Sequence, residues 1–412
     1  MYHQLVGSSV WEIHMKRIYT SLVHKHPETQ MMFLTGPRQV GKTTIAEQLQ
    51  EQVPESVYLN WDVTEDRASI LQGTRFIENM ITLNKARTKK PLIVFDELHK
   101  YKDWKNFIKG FYDLYKKQLQ IIVTGSARLD VYRHANDSLM GRYFLYRVHP
   151  LSVGELAHPQ EQYDLLYNPY DIGQQYEDLQ NFGGYPDPFL KQDKKYHKRW
   201  GQLRHEQLFH EDLVDLTNIQ ERKSLELLAL FLKHQVGGIV NKSSLGQKIQ
   251  VTHQTIGRWI SALEYLYYCF SVPPWSNNIP RSLIKEPKLY LWDWSLIDDT
   301  GQRFENFIAS HLLKAAQYWT DRGDGSFRLY FIRDKDQQEI DFLITKDDKP
   351  WILVEAKESD TRLSKSLTYF QNLTKAPFAF QVINKEPYID IDCFSLPQPI
   401  VVPARTFLSQ LI

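Results

Sequence analysis

One motif constrains the fold of this 412-residue chain more than any other feature. The segment from Gly36 to Thr43, GPRQVGKT, matches the pattern GxxxxGK[ST]. The apolar run Met31–Leu34 precedes it, and Ile45 and Leu49 follow it at helical spacing. In a strand–loop–helix setting the glycines let backbone N–H groups surround phosphate oxygens, and the helix N-terminus adds partial positive charge. The motif therefore predicts a phosphate-binding loop in an α/β domain.

We expect this loop to bind ATP and Mg²⁺. The Lys42 ammonium would reach the β and γ phosphates, and the Thr43 hydroxyl would ligate Mg²⁺. The predicted nucleotide-binding residues are Gly36, Gln39, Val40, Gly41, Lys42, Thr43 and Thr44.

A second apolar run, Leu92–Phe95, ends in two acids, Asp96 and Glu97. A buried strand would deliver Asp96 to the carboxyl edge of a parallel sheet, where its carboxylate can hold the Mg²⁺ shell through water. Glu97 is placed to polarise a water against the γ phosphate, so we expect it to be catalytic together with Lys42. Two adjacent acids at this point favour hydrolysis over phosphate transfer to a small acceptor.

The next strand, Gln120–Thr124, is followed by Gly125 and Ser126. A polar side chain at this edge would lie beside the phosphates, and Thr124 and Ser126 are the candidates for orienting the water. Several arginines follow, and an arginine can complete a neighbouring subunit's ATP site. We expect Arg142 to be the arginine that does so, and the alternative is that Arg142 is an ordinary surface arginine. A homo-oligomer is expected on the same grounds.

These motifs resemble a bacterial and archaeal family of AAA-type ATP-binding proteins. The resemblance rests on five segments and covers nearly the whole chain: FLTGPRQVGKTT at 33–44, IVFDELHK at 93–100, VTGSARLD at 123–130, GRYFLYRVHPLSVGEL at 141–156 and NFGGYP at 181–186. It implies that Ser126 is the polar sensor, and that the C-terminal domain is similar to restriction-endonuclease-like folds. GGYP itself is interpreted as a structural turn.

The amino-acid composition excludes several classes of protein. The chain is 42% hydrophobic with a net charge of +1, which excludes a uniformly basic nucleic-acid coat. Its two cysteines, Cys269 and Cys393, are too few for a disulfide framework, so a reducing compartment fits best. No apolar stretch approaches a membrane span. We therefore expect a cytoplasmic protein that does not bind membranes.

The fold class expected is α/β: a P-loop AAA-type ATPase core with a helical lid, a winged-helix domain and a restriction-endonuclease-like domain. Continuous apolar strands alternating with helices indicate a parallel sheet for the core. The expected segments are a helical lead-in at 1–28, the ATPase core at 29–150, the lid at 151–215, the winged helix at 216–292 and the nuclease-like domain at 293–412.

The middle segment contains a helix-turn-helix pattern. A short helix from Asn241 is followed by a second one with an N-cap at Thr252, and an aromatic run after it suggests a wing strand. His253, Gln254 and Arg258 would face outward, where a recognition helix contacts DNA. A module used only for packing is the alternative. The basic residues that favour DNA contact are Lys242, Lys248, Arg258, Arg281, Lys285 and Lys288.

The C-terminal segment carries an acid followed by ExK in strands. Alternation puts Glu355 and Lys357 on one face of their strand. This pattern resembles the PD-(D/E)xK nuclease superfamily. The resemblance implies that Asp341 and Glu355 bind Mg²⁺, that Lys357 activates the attacking water, and that Glu305 supports the metal from a helix. A fold that binds without cutting is the alternative.

Three functions are consistent with these features. The first is Mg²⁺-dependent ATP hydrolysis that drives rearrangement on DNA, with metal-dependent cleavage as an additional activity. The second is a nucleotide-operated switch or scaffold whose C-terminal modules only bind partners. The third is a small-molecule kinase, which Asp96, Glu97 and the appended modules disfavour.

Overall fold

The computed structural model describes residues 15–22, 29–83, 85–87, 89–125, 139–159, 164–213, 221–276 and 286–412. The chain divides into two compact units. The first is Met1–His149 with Pro159–Glu161, and the second is Pro150–His158 with Gln162–Ile412.

The first unit is an α/β domain. Its strands are β1 (Met31–Thr35), β2 (Ser56–Asn60), β3 (Leu92–Asp96), β4 (Gln120–Gly125) and β5 (Tyr143–Arg147). Its helices are α1 (Tyr19–Leu22), α2 (Lys42–Glu51), α3 (Thr64–Leu71) and α4 (Trp104–Tyr115), with 3₁₀ segments at Thr74–Asn79 and Leu98–Lys100.

The strands of this unit form a parallel sheet in the order β2–β3–β4–β1–β5. Every residue of β1 and β3 is buried, as expected for strands covered on both faces. Helix α4 packs an aromatic face, including Phe107 and Phe111, against Phe95 of β3. The parallel arrangement brings the carboxyl ends of β1, β3 and β4 to one edge of the sheet.

The second unit begins with helices and ends in an α/β region. Its helices are α5 (Val153–Ala157), α6 (Gln175–Phe182), α7 (Pro186–Lys191), α8 (Lys194–Glu206), α9 (Arg222–His234), α10 (Lys242–Ile249), α11 (His253–Tyr265), α12 (Thr300–Arg322), α13 (Lys365–Thr374) and α14 (Ala404–Ser409). Its strands are β6 (Cys269–Val272), β7 (Lys288–Leu291), β8 (Phe327–Arg333), β9 (Glu339–Lys346), β10 (Lys349–Lys357), β11 (Phe378–Ile383) and β12 (Ile400–Pro403). A π-helical turn covers Gln207–Asp212, and 3₁₀ segments cover Trp294–Leu296 and Cys393–Ser395.

Two sheets organise the strands of this unit. β6 and β7 form an antiparallel pair directly after the helix pair α10–α11. β8 to β12 form a mixed sheet in the order β12–β11–β10–β9–β8. Between the pairs Tyr330–Leu343 and Ile332–Ile340, two residues of β9 lie opposite one residue of β8, so β9 carries a bulge at Asp341–Phe342. A bulge of this kind changes the direction of the side chains beside it.

The segment PLSVGEL, which the sequence left unexplained, is buried inside the second unit. Ser152 caps α5 by accepting from the Glu155 N–H, and its hydroxyl donates to the carbonyl of Ile412 at 2.8 Å. The Lys314 ammonium of α12 donates to the Glu155 carboxylate and to the Pro150 carbonyl at 3.0 Å. This segment therefore holds the C-terminal residues in place.

GGYP forms a turn against the same segment. The Gly184 carbonyl accepts from the Leu151 N–H at 2.7 Å, and a Cβ on Gly184 would lie 2.6 Å from the Trp294 ring. Gly183 has φ +79°, a value that favours glycine. These contacts with Leu151 and Trp294 give the turn a structural role.

The longest helix, α12, crosses the mixed sheet with residues such as Phe307, Leu312 and Trp319 fully buried. Its sequence also contains charged and polar positions, including Glu305 and Arg322. Within the described ranges, neither α12 nor another helix is both long enough and apolar enough to cross a membrane.

We expect Gly154→Ala to destabilise the second unit. A Cβ on Gly154 would lie 2.5 Å from the Leu411 carbonyl oxygen, so the buried C-terminus would have to shift. Overpacking of this kind costs about 1–3 kcal/mol, which urea unfolding would measure. Gly257→Ala on α11 is the control, because the nearest atom lies 3.9 Å from its Cβ. An equal stability for both variants would contradict this packing.

Candidate functional site

The backbone of the phosphate loop takes the conformation that its glycines allow. Gly36 has φ +151°, and a Cβ there would lie 2.3 Å from the Val148 carbonyl oxygen. Gly41, which precedes α2, has φ +94°, and Gln39 has φ +62°. Side chains other than glycine rarely adopt such angles at low cost. Gly36 is therefore required because the Val148 carbonyl lies against it, and Gly41 because of its positive φ angle.

Lys42, the first residue of α2, folds over this loop. Its side chain is buried, and its ammonium donates to the carbonyls of Gly36 at 3.0 Å and Pro37 at 2.7 Å. Phosphate oxygens are stronger acceptors for an ammonium than neutral carbonyls are. A phosphate entering the loop would therefore meet a cation that is already positioned. Thr43 and Thr44 follow as exposed residues at the helix start.

Asp96 ends β3 beneath the loop and is 2% exposed. Its carboxylate accepts from the hydroxyls of Thr43, at 3.1 Å, of Tyr58 and of Thr124. Burial, with the neighbouring Asp96 charge, raises the pKa of Tyr58 well above its ordinary value. Tyr58 therefore stays a neutral donor to the carboxylate.

Thr43 and Asp96 fit a Mg²⁺ site. Both supply oxygen atoms, and their hydrogen bond places them side by side at the mouth of the loop. A hard cation takes oxygen ligands and retains several waters when it binds beside phosphates. These two residues would hold the ion, and its charge would neutralise phosphate oxygens.

Glu97 leaves the end of β3 in a left-handed conformation, with φ +54°. Its carboxylate lies 3.3 Å from the Lys100 ammonium and 3.7 Å from His99 Nε2. Lys100 also pairs with Asp62. Strain at a non-glycine residue occurs often at functional sites, and here it turns Glu97 away from the strand direction.

Arg17, which sequence reasoning missed, supports the loop from behind. It is 2% exposed, and its guanidinium donates to the carbonyls of Val40 and of His149, the latter at 2.6 Å. It also lies over the Tyr19 ring, 5.6 Å from the centroid. The lead-in segment has no motif that marks this arginine, so its sequence gave no signal.

Of the two further residues predicted for the ATP site, Ser126 and Arg142, the structure describes Arg142. Ser126 lies outside the described residues. Arg142 precedes β5, and its carbonyl accepts from the N–H of Met31, the first residue of β1. It therefore lies at the amino end of the sheet, opposite the phosphate loop of its own unit. Its guanidinium pairs with Asp113 of α4 at 3.1 Å.

The helix pair α10–α11 presents the predicted DNA-facing residues. The Thr252 hydroxyl accepts from the Thr255 N–H at 3.1 Å and caps α11. Ile256 and Trp259 are buried, whereas His253, Gln254 and Arg258 are exposed. Two of the other basic residues predicted to support DNA contact, Arg281 and Lys285, lie outside the described residues.

Lys288 does not belong to that basic surface. It is 4% exposed, and its ammonium lies 2.6 Å from Glu339, 3.4 Å from Glu305 and 3.5 Å from Asp341. Burial lowers the pKa of Lys288, but the three carboxylates outweigh it and raise the pKa above its usual value. The prediction that Lys288 contributes to DNA contact is wrong, because its side chain is buried and its ammonium is paired with carboxylates of the same unit.

The remaining residues of the predicted nuclease site lie next to this lysine. Lys357 contacts Glu355 at 2.8 Å, and Asp341 accepts from the Ala356 N–H at 3.0 Å. Glu305 accepts from the Tyr290 hydroxyl at 2.7 Å. Burial and the charge of Asp341 raise the pKa of Glu305 to about 7, against the opposing effect of Lys288 and Tyr290.

These residues do not fit a Mg²⁺ ion. In the part of the chain that the structure describes, no group of three or more His, Cys, Asp or Glu residues is arranged to hold a metal. The predicted metal ligands Glu305 and Asp341 share the Lys288 ammonium, and Glu355 pairs with Lys357. The physical reason is that β7 places a lysine where an added cation would have to be.

Three family models match consecutive parts of the chain. Residues 28–157 match a model described as an AAA domain. Residues 173–300 and 300–390 match two domains of unknown function, DUF8612 and DUF4143. The first match contains the phosphate loop, β3 and the whole parallel sheet. Together with the loop geometry it supports an AAA-type ATPase core in this part of the chain.

Relatives are distant. An uncharacterized protein of Mycobacterium tuberculosis is 24% identical over 329 residues, which cover 75% of this chain and 68% of the relative. An uncharacterized protein of Methanocaldococcus jannaschii is 20% identical over 82% of this chain and 78% of the relative. The solved structure of a Walker-type ATPase of Pyrococcus abyssi aligns with a TM-score of 0.45 and 13% identity over 71% of this chain and 97% of that chain. A TM-score at this level supports no conclusion about function.

We expect Arg17→Met to weaken nucleotide binding. The change leaves the buried carbonyls of Val40 and His149 without their donor, so the loop loses its support. Such a loss costs about 1–3 kcal/mol, equivalent to about 5- to 150-fold in affinity, which titration calorimetry with a non-hydrolysable ATP analogue would measure. Lys16→Met, at the exposed neighbouring position, is the control. Unchanged affinity in Arg17→Met would contradict the role of this arginine.

Proposed function

We propose that this chain is a Mg²⁺-dependent ATP hydrolase whose AAA-type core couples turnover to rearrangement on DNA. The observation that carries the proposal is the convergence of Lys42, Thr43 and Asp96 at one edge of a parallel sheet. Three roles meet there: a cation for phosphates, a hydroxyl for the metal and a buried carboxylate that holds the hydroxyl. This combination is what phosphoryl transfer needs from a protein.

Each residue has a separate task in hydrolysis. The loop N–H groups and Lys42 bind the phosphates, and Thr43 with Asp96 holds Mg²⁺. When bound, Mg²⁺ stabilises the negative charge that develops on the phosphate oxygens. Ser126, which follows β4 in the sequence, remains the residue proposed to orient the attacking water.

Glu97 is the proposed general base. It follows Asp96 directly, and its contact with the Lys100 ammonium at 3.3 Å holds the carboxylate close to the sheet edge. A base must lie within reach of the water that it deprotonates. A small side-chain rotation away from Lys100 would serve this purpose once the γ phosphate is bound.

DNA is the proposed macromolecular partner. Helix α11 exposes His253, Gln254 and Arg258, as a recognition helix does. Without the buried Lys288, the segment 216–292 carries a net charge of +4. A charged segment of this kind attracts the phosphate backbone, while side chains of the helix contact bases. In a homo-oligomer, Arg142 would have to leave its ion pair with Asp113 to reach a neighbour's ATP site.

A second candidate function is a nucleotide-operated switch or scaffold. The specific observation in its favour is the Lys288 ammonium among Glu305, Glu339 and Asp341. A site already occupied by the chain's own lysine supports partner binding better than metal-dependent cleavage. In this version ATP turnover resets an assembly, and the C-terminal modules only bind.

Two substitutions separate ATP binding from ATP hydrolysis. We expect Lys42→Ala to reduce turnover by about 100-fold or more, because it removes the cation that stabilises phosphate charge. We expect Glu97→Gln to retain ATP affinity and to lose about 10²-fold or more in turnover, because an amide cannot accept the proton. Steady-state phosphate release and calorimetry measure the two quantities.

Lys117→Ala is the control for these variants, since this lysine is exposed on the surface of the same unit. Normal hydrolysis in Lys42→Ala would exclude the phosphate loop as the active site. Normal hydrolysis in Glu97→Gln would leave the site assignment intact and remove Glu97 from its role as base.

If the chain acts on DNA, then DNA should stimulate its ATP hydrolysis. We expect ATP hydrolysis to rise when single-stranded, duplex or branched DNA is added, and DNA affinity to fall as salt is raised. Arg258→Ala should weaken DNA binding by about tenfold. Lys335→Ala, an exposed basic residue of the C-terminal region, is the control. No stimulation by DNA in any form would favour the switch or scaffold instead.

A further inference from the structure

We propose that the ammonium of Lys288 permanently takes the place of a divalent cation in the C-terminal carboxylate cluster. The Lys288 cluster is defined here as Lys288 with Glu305, Glu339 and Asp341. The inference goes beyond the ATP site and stands independently of it.

The geometry of the cluster is that of a coordinated cation. Carboxylates from two different elements, Glu305 on α12 and Glu339 and Asp341 on β9, converge on one buried nitrogen. Their oxygens lie 3.4, 2.6 and 3.5 Å from it. An ammonium has three donor protons, one for each of three acceptors. The bulge in β9 at Asp341 helps to direct its carboxylate toward this point.

Charge explains why the lysine is held. Partly buried carboxylates repel one another, and a buried ammonium without partners is costly, so each side of the cluster needs the other. The Tyr290 hydroxyl, also on β7, donates to the same Glu305 oxygen and lowers the charge density further. Because β7 supplies both Lys288 and Tyr290, this strand is bonded to the mixed sheet and to α12 by polar contacts.

The other half of the predicted nuclease set is also occupied by a lysine. Lys357 contacts one oxygen of Glu355, which is 7% exposed. The second oxygen, Oε2, is buried with no hydrogen-bond partner. That single oxygen is the feature most compatible with an added cation, but a hard cation needs several oxygens at once. Binding of metal by the wild-type protein is therefore the rival outcome of the test.

The consequence is that the strand pair β6–β7 is joined to the nuclease-like region by an internal cation. Removal of that cation should leave three converging carboxylates, which can ligate Mn²⁺ once their oxygens move closer together than they lie around the ammonium. The wild-type cluster should therefore be indifferent to divalent cations, and a variant without the lysine should acquire a dependence on them.

The experiment uses the full chain without nucleotide, with Mn²⁺ alone as the probe. Lys288→Met should lower the melting temperature in a chelator, and Mn²⁺ should restore about 3 °C or more of it, because a ligand of the folded state stabilises that state. Calorimetry should detect saturable Mn²⁺ binding in Lys288→Met and its loss when Glu305→Gln is added. Wild type should show neither rescue nor saturable binding that depends on Asp341.

Lys314→Met is the matched control. Lys314 is an equally buried lysine on α12 that contacts one carboxylate, Glu155, so its loss should destabilise the protein without rescue by Mn²⁺. If Lys288→Met folds only in Mn²⁺, the proposal is supported. If it folds in neither condition, Lys288→Met combined with Glu339→Gln, which has one charge fewer, replaces it.

Two results would overturn the proposal. The first is saturable Mn²⁺ binding by wild type that Asp341→Asn abolishes, because the lysine would then yield to a metal. The second is a folded variant without Lys288 that does not bind Mn²⁺, because the carboxylates would then be unable to replace the ammonium with a metal.

Discussion

The parallel pairing of β1, β3 and β4 is the constraint on which the nucleotide site depends. Because these strands run in one direction, their carboxyl ends deliver the phosphate loop, Asp96 and Thr124 to one edge. None of the three is near another in sequence. The hydrogen bonds from Thr43 and Thr124 to the Asp96 carboxylate then hold the ends of all three segments together. A change in the register of β3 by one residue would move Asp96 to the other face of the sheet.

The second unit uses buried charge in a different way. Lys314 and Glu155 form a buried pair that fixes the PLSVGEL segment, and the Lys288 cluster fixes the strand pair β6–β7. Buried ion pairs add little net stability compared with apolar packing, but loss of one partner is costly. Such pairs therefore favour one arrangement of helices and strands over others.

Much of the fold follows from the sequence, because its strongest signals are local. The apolar runs at β1 and β3 are fully buried, as continuous hydrophobicity predicts for covered strands. The cap at Thr252 and the buried stripe of α11 follow from helical spacing alone. The site residues that sequence reasoning missed, Arg17 and Tyr58, have no such pattern. Each acts through a contact with a residue more than twenty positions away, which spacing cannot encode.

The error over Lys288 has the same origin and an informative consequence. Net charge counts every lysine as exposed, so the +5 of segment 216–292 included a residue that is 4% exposed. Likewise, the −4 of segment 293–412 included three carboxylates that face this lysine, whose single positive charge offsets one of them. The two segments therefore differ less in the charge they present to a partner than their sums suggest. The charge that a segment offers to a partner has to be counted from its exposed side chains, because the sequence alone counts Lys288 as if it were exposed.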